Sequence, residues 1–388
     1  MERRVSRSPE AGRPVHREFL AGGKLLRYYF LPIFILSSIS VLAINSSKAD
    51  KVVTLSRVIR VSLFFIAVIL VVSASSMLVG SSQIGMFSIL KRLLSGWYGG
   101  DTGLLPMEKT ILFSIRLPRI IFAGIVGASL SAAGVVFQGL LRNPLADPYI
   151  LGISGGAAVG AIIAIITGIS FIPFGVPGMA VSGALLTIAL VYGIAKTKKE
   201  LHSTTLLLAG VIVNAFFSAV IMFLISTTNS KELRSVIFWI MGDLSLAEWN
   251  EVILTGFFLM IGFIVMYVYS RHLNLIVSGE ETAMQLGVNV EQTKKILLLA
   301  ASLVTGVAVS VSGTIGFVGL IIPHMMRMLL GSDHRLLLPA SALFGGSFLV
   351  VADTLARTVT APAELPVGVI TAMCGAPYFI YLLRRRAV

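Results

Sequence analysis

The sequence predicts an all-α, polytopic membrane protein of ten transmembrane helices with an inverted-repeat topology. Three observations carry that prediction. Hydrophobic residues make up 56% of the chain and charged residues 13%, about half the charged share of a soluble domain. Ten apolar stretches approach the length of about 20 residues that a membrane-crossing helix needs: 58–80, 119–141, 150–169, 177–196, 204–226, 250–270, 294–312, 315–331, 336–355 and 365–383. The charges also sort by side. With the first span starting inside, the inside segments hold 23 of the 31 Lys and Arg and ten of the 18 acids. The inner face therefore nets +13 and the outer face zero, the positive-inside pattern. That pattern accounts for the basic balance without a nucleic-acid partner. Spans two to five start from outside and seven to ten from inside, the bookkeeping of an inverted repeat, although the two halves share no convincing sequence similarity.

Two regions follow from this count: a basic N-terminal extension over 1–57 and a transmembrane domain over 58–388. Within the extension, residues 28–44 are apolar but short, and Pro32 interrupts them. Lys48, Lys51, Arg57 and Arg60 follow, and moving them across a membrane is disfavoured, so an interfacial or tail segment is expected rather than an eleventh span. After the first span comes the stretch around which the chain is organised, Arg116–Gly160. Pro118 suits the first turn of a helix, and Arg116 and Arg119 sit beside it. Gly124, Ala128 and Ala132 are spaced for close helix packing in lipid. Asn143-Pro144 and Asp147-Pro148 break the helix. Asp147 is expected to cap the next one, with Pro148 at its first position. Gly152, Gly156 and Gly160 line one face of that next segment. In span eight, Pro323 predicts a kink, with His324 and Arg327 behind it.

Several chemistries are missing. There is no GxxxxGK[ST] phosphate loop. The five histidines, His16, His202, His272, His324 and His334, have no metal-ligand spacing, and the single cysteine, Cys374, lies in an apolar run. No catalytic residue, metal site or cofactor is predicted. No acid, lysine or histidine falls at the middle of a span, where an ion-driven transporter keeps its coupling residue. If such a chain moves a solute, it is expected to draw its energy from a partner.

Three groups of residues carry the candidate function. The first is the longest inside loop, 271–293. Ser278 and Glu281 read as a capping box and Gly287 as a left-handed stop. The two-turn helix between them is too short to stand alone, so it lies against the protein's own surface or in a partner's groove. The second is Arg116, Arg119 and Arg357 on the outer face. They either snorkel to lipid head groups or receive carboxylates of a docking protein, and Arg357 has Asp353 at i−4 to pair with. The third is Asn214, the one strongly polar residue deep in span five, which either bonds a neighbouring helix or lines a pathway.

The run RLPR…GxxLxxxGxxxQxLxRNPLADPxxLGxSxGA resembles the FecCD-type permeases, the membrane subunits of importers for iron–siderophores, haem and cobalamin. The likeness returns in GTIGFVGLIIPHMMRMLLGSDHRLLLPAS, ADTLAR and AELPVGVITAMCGAPYFIYLL, and covers roughly 58–388. The resemblance implies a coupling helix in the 271–293 loop, where Glu280, Glu281, Ala283 and Gly287 match the family's pattern and a cytoplasmic ABC ATPase dimer docks. It implies that Arg116, Arg119 and Arg357 dock an extracytoplasmic substrate-binding protein. It places the inner narrowing of the pathway at Ser203 and Thr204, beside Asn214. It also implies a homodimer in the cytoplasmic (inner) membrane, with the C-terminus in the cytoplasm and the substrate passing between subunits. The cargo that the resemblance implies is a metal chelate, an iron–siderophore complex first, then haem or cobalamin.

Overall fold

The computed structural model describes residues 53–79, 105–197, 200–201, 203–245 and 247–386. The N-terminal extension, with its apolar stretch 28–44, lies outside them except for residues 53–57.

Thirteen helices are formed by the described residues: α1 Leu55–Leu78, α2 Pro106–Leu140, α3 Ile153–Ile166, α4 Gly175–Ala195, α5 Ser203–Thr227, α6 Ser230–Met241, α7 Trp249–Val268, α8 Ser270–Ser278, α9 Glu280–Gln285, α10 Val290–Ser312, α11 Val318–Leu330, α12 His334–Thr358 and α13 Val367–Arg386. A short antiparallel pair, Lys196–Thr197 with Glu200–Leu201, joins α4 to α5. Every predicted span is helical, and seven helices (α1, α2, α4, α5, α7, α10 and α12) are long and apolar enough to cross a membrane.

The other three predicted spans are shorter than expected. Helix α3 has 14 residues and α11 has 13, about 20 Å each at 1.5 Å per residue, against about 30 Å of hydrocarbon. The apolar part of α13 is Val367–Tyr381. Irregular backbone leads into both α3 and α11, through Leu141–Gly152 in one case and Gly313–Phe317 in the other. These are the third and eighth predicted spans, which the repeat pairs, and interrupted helices at paired positions are a recurring transporter feature. Asp147 does not cap α3. Its carboxylate accepts from the Tyr149 N–H at 3.1 Å, and Gly152, at φ +75°, is the residue at the start of the helix. Pro148 belongs to the turn before it.

Helices α2 and α12 form the centre of the bundle. In their most apolar 18-residue windows, 78% and 83% of residues are buried, against 11% for α1 and 22% for α5 and α7. Apolar side chains gain little by leaving lipid, so such a core is held by close packing of small residues. The packing face is wider than the expected one. A Cβ at Gly124 would meet only Ile69 and Val350 at ordinary distance. A Cβ at Gly127 would fall into the Gly345 carbonyl of α12, and one at Gly134 into the Gly319 carbonyl of α11. Gly127, Ser131 and Gly134 carry these contacts, and Gly124 of the expected set joins them through its carbonyl, which would lie 2.8 Å from a Cβ at Gly346 of α12.

Helix α2 also starts earlier than expected. It begins at Pro106, and Thr110–Arg116 is wound as a π-helix before the α-helix resumes at Leu117. Pro118 is therefore inside a continuous helix and not at its start. A proline ring normally strikes the carbonyl four residues back. The wider turn accommodates it, with the Leu117 N–H donating to Leu112. Arg116 and Arg119 consequently do not sit at the positive end of a helix dipole.

Candidate functional site

Polar chemistry concentrates at the two ends of α2 and α12. Arg119 lies just after the π-helical part of α2 and Gln138 near its end, about 28 Å apart along the helix at 1.5 Å per residue.

At the Arg119 end the arginines are buried and engaged within the chain. Arg116, Arg119 and Arg357 are 5%, 6% and 4% exposed. The Arg119 Nε donates to both Asp353 carboxylate oxygens at 3.0 and 3.1 Å, and its Nη1 donates to Glu364 at 2.7 Å. Asp353 is itself buried and also stands 3.1 Å from Arg357 Nε, the expected i, i+4 pair. Arg357 donates through Nη2 to Ser76 Oγ on α1 at 2.9 Å, and Arg116 donates to the Met77 carbonyl at 2.9 Å. One buried aspartate thus gathers two arginines, and through them α1, α2, α12 and the 359–366 loop. The structure places these three side chains as internal ties rather than as open forks on a surface. Glu364, at 37% side-chain exposure, is the part of the network that meets the outside.

The other end is built around α8 and α9. The expected capping box is not formed: Ser278 Oγ bonds back to the Asn274 carbonyl at 3.1 Å, and Gly279 precedes α9. The expected stop is formed. Gly287 has φ +83°. Its N–H donates to Met284 at 2.9 Å, and that of Val288 donates to Ala283 at 3.0 Å, the paired bonds of a Schellman motif. Ala283, Val288 and Val290 pack with Ile276 into a small buried cluster, which holds α9 against α8. On the other side of α9, Glu281, Met284, Gln285 and Leu286 are exposed.

Glu280, the first residue of α9, points inward. Its carboxylate is 2.6 Å from Lys294 Nζ on α10 and 3.3 Å from Arg142 Nη2, just past the end of α2. Arg142 Nη2 also donates to the Ile276 carbonyl at 2.5 Å. Nearby, Asn274 of α8 donates to Asp333 at 2.9 Å and accepts from the His334 N–H at 2.9 Å, pinning α8 to the start of α12. Burial raises the Asp333 carboxyl, but hydrogen bonds from Arg335 and Asn274 outweigh it and hold the group at about 2. Asp147, with one backbone N–H as partner, is pushed by burial up to about 6. Arg327 of α11 donates to Gln138 of α2 at 2.8 Å, and Gln138 donates on to the Leu320 carbonyl at 3.0 Å.

Ser203 and Thr204 open α5. Ser203 is half-buried and donates to the Leu140 carbonyl of α2 at 2.8 Å, while Thr204 is exposed. Leu140, Ser203, Leu206, Lys294 and Leu298 line a small cavity. Asn214 lies on α5 against the start of α3, where its Oδ1 would be 2.9 Å from a Cβ at Gly155. Sequence reasoning missed Arg142, Lys294 and Glu364 as members of these clusters. The signal for Arg142 was its place straight after a helix that stops at Asn143-Pro144.

Residues 66–385 match the FecCD transport family. An ABC transporter permease of Bacillus subtilis is 44% identical over 327 residues, 83% of this chain and 92% of that one. The cobalamin import system permease of Halobacterium salinarum is 48% identical over 286 residues, 74% of this chain and 76% of that one. The hemin transport system permease of Yersinia pestis is 40% identical over 338 residues, 84% and 96%. Among solved structures, a metal-chelate type ABC transporter in an inward-facing conformation matches with a TM-score of 0.72 and 31% identity, over 84% of this chain and 99% of that chain.

Proposed function

The chain belongs to the FecCD transport family and is a permease subunit of an ABC importer; on that premise we propose that its cargo is a macrocyclic metal chelate, cobalamin before haem. The observation that carries the proposal is the extent of identity with the cobalamin and hemin permeases. An iron–siderophore complex, the cargo that the sequence motifs put first, is of the same metal-chelate class but is named by neither relative.

In this reading the chain works as a homodimer in the inner membrane, with its C-terminus in the cytoplasm. Two ATPase subunits seat on the exposed side of α9, where Met284 and Leu286 offer apolar contact and Glu281 a charge at the rim. Glu280, Ala283 and Gly287 shape that helix from behind. A substrate-loaded binding protein meets the opposite face, whose form is set by Arg116, Arg119 and Arg357 and whose accessible charge is Glu364. Ser203 and Thr204 narrow the inner end of the pathway, and Asn214 lines it beside α3. ATP binding and hydrolysis on the partners rock the dimer between outward-open and inward-open states.

Uptake into proteoliposomes tests the cargo, using the permease with its ATPase and binding protein. Labelled cyanocobalamin, hemin and a ferric siderophore are offered in parallel. Cyanocobalamin is expected to accumulate fastest with ATP inside. Preferential accumulation of the ferric siderophore overturns the cargo, and accumulation that follows a proton gradient without ATP overturns the energy source.

A further inference from the structure

Two helices of this chain end in the same way but with different residues. Helix α9 ends in a Schellman motif with Gly287 in the left-handed position. Helix α2 ends in one too: the Arg142 N–H donates to the Gly139 carbonyl at 3.2 Å and the Asn143 N–H to that of Gln138 at 3.1 Å. There the left-handed residue is Arg142, at φ +47°. A side chain in that conformation is strained, where glycine is not. The strained residue persists where its surroundings over-determine it, so what the Arg142 side chain touches becomes the question.

It touches the segment that carries α9. The guanidinium bonds the Ile276 carbonyl at the end of α8 and pairs with Glu280 at the start of α9. Glu280 in turn holds Lys294, which is 4% exposed at the start of α10. The same lysine lines the small cavity that it shares with Leu140 and Ser203, and Ser203 Oγ is bonded to Leu140. Charged contacts therefore link α9 to the end of α2 and the start of α10. The Ser203–Leu140 bond links the end of α2 to the start of α5. Arg142 and Glu280 are 39% and 34% exposed, so their pair adds little to stability by itself. Its value lies in position.

We propose that Arg142, Glu280 and Lys294 form the joint through which movement of the α8–α9 segment is transmitted to the pathway end of α2, α5 and α10. These are positioning residues. The proposal rests on the reading that the ATPase seats on α9.

The test uses the whole importer in proteoliposomes, with Arg142→Gly, Glu280→Gln and the double substitution. Three quantities are read: ATPase retained on purification, ATP hydrolysed, and substrate taken up per ATP. Glycine relieves the left-handed strain, so Arg142→Gly should melt at or above the wild-type temperature. It should nevertheless take up about tenfold less substrate per ATP, a typical size for a lost coupling, with ATPase retained and hydrolysis continuing. Glu280→Gln should do the same, and the double substitution no more than either alone. Unchanged uptake per ATP in the single variants overturns the joint, as does a loss of ATPase binding in them, which would make these residues part of the docking surface. Should either variant fail to accumulate folded, Lys294→Met is read in the same assay with the same expected loss. If the wild-type chain itself fails to retain an ATPase, the docking reading fails, and the variants are not what shows it.

Discussion

The two ends of the α2–α12 pair solve the problem of charge at a membrane surface in opposite ways. At the Arg119 end, charges are turned inward: Asp353 is 1% exposed and holds both Arg119 and Arg357. At the Glu280 end, the charges sit under a short helix whose other side is open, with Met284 at 56% and Leu286 at 63% exposure. The difference teaches where stability and where motion are kept. A buried ion network is costly to break because each remaining charge is left without a partner. A six-residue helix held by a small apolar cluster and by the partly exposed Glu280, paired with an exposed Arg142 and a buried Lys294, has fewer ties to break. The closed end ties the bundle together, and the open end presents the segment that the proposed coupling route would move.

Substitutions at the two ends should separate these roles. The largest loss of stability is expected from Asp353→Ala, which leaves Arg119 and Arg357 buried with one carboxylate fewer. A cost of about 3–5 kcal/mol is expected, read as a lower melting temperature in detergent and poor accumulation in the membrane. A fall no larger than that of an exposed substitution would mean that the network is not a structural anchor. Replacing Arg116 and Arg119 by glutamate is expected to unfold this end for the same reason, so Glu364 is the better probe of docking there.

Next comes Gly287→Val. Nothing lies within 4 Å of a Cβ at that position, so the penalty is backbone strain alone, about 1–2 kcal/mol, and local. The bundle should still assemble while ATP-driven uptake is lost, and uptake at the wild-type rate would remove α9 from the coupling route.

Asp333→Ala removes the side-chain oxygen that caps α12 and ties it to Asn274. It should cost about 1 kcal/mol. Because the folded carboxyl is held at about 2, below its ordinary value of 3.8, the wild-type chain keeps this contribution above about pH 4. It loses it as the pH falls towards 2. The Ala variant should therefore differ less from wild type in melting temperature at pH 3 than at pH 7. The smallest effect is expected from Glu364→Gln. Its exposed carboxylate should matter by less than about 1 kcal/mol to stability, so any marked loss of binding-protein capture would report docking directly.

Much of this architecture was legible in the chain. Apolar stretches marked a helix at all ten predicted positions, seven of them long enough to cross a membrane, because lipid demands a self-satisfied helix wherever backbone crosses it. Gly287 was readable as a stop because its role is local. Helix α6 was not, since its 12 residues mix Lys231, Glu232 and Arg234 with apolar ones. The start of α2 was misplaced because proline is equally at home at a helix start and at a widened turn. Ser278 fitted the capping pattern, yet the chain places Gly279 there and turns Ser278 back on α8. The ion networks were the least legible. Arg119 meets partners 234 and 245 residues away, and no local pattern encodes such a pairing. The Asp353–Arg357 pair, four apart on one helix, was the exception.

The central claim is that this permease moves its cargo only when an ATPase works on the α9 end. The most direct measurement compares uptake by the reconstituted chain alone with uptake by the same chain bound to its ATPase and binding protein, at matched protein and substrate. Accumulation against a gradient only in the complete assembly, abolished when ATP is withheld, is the predicted result. Accumulation against a gradient by the chain alone would contradict it.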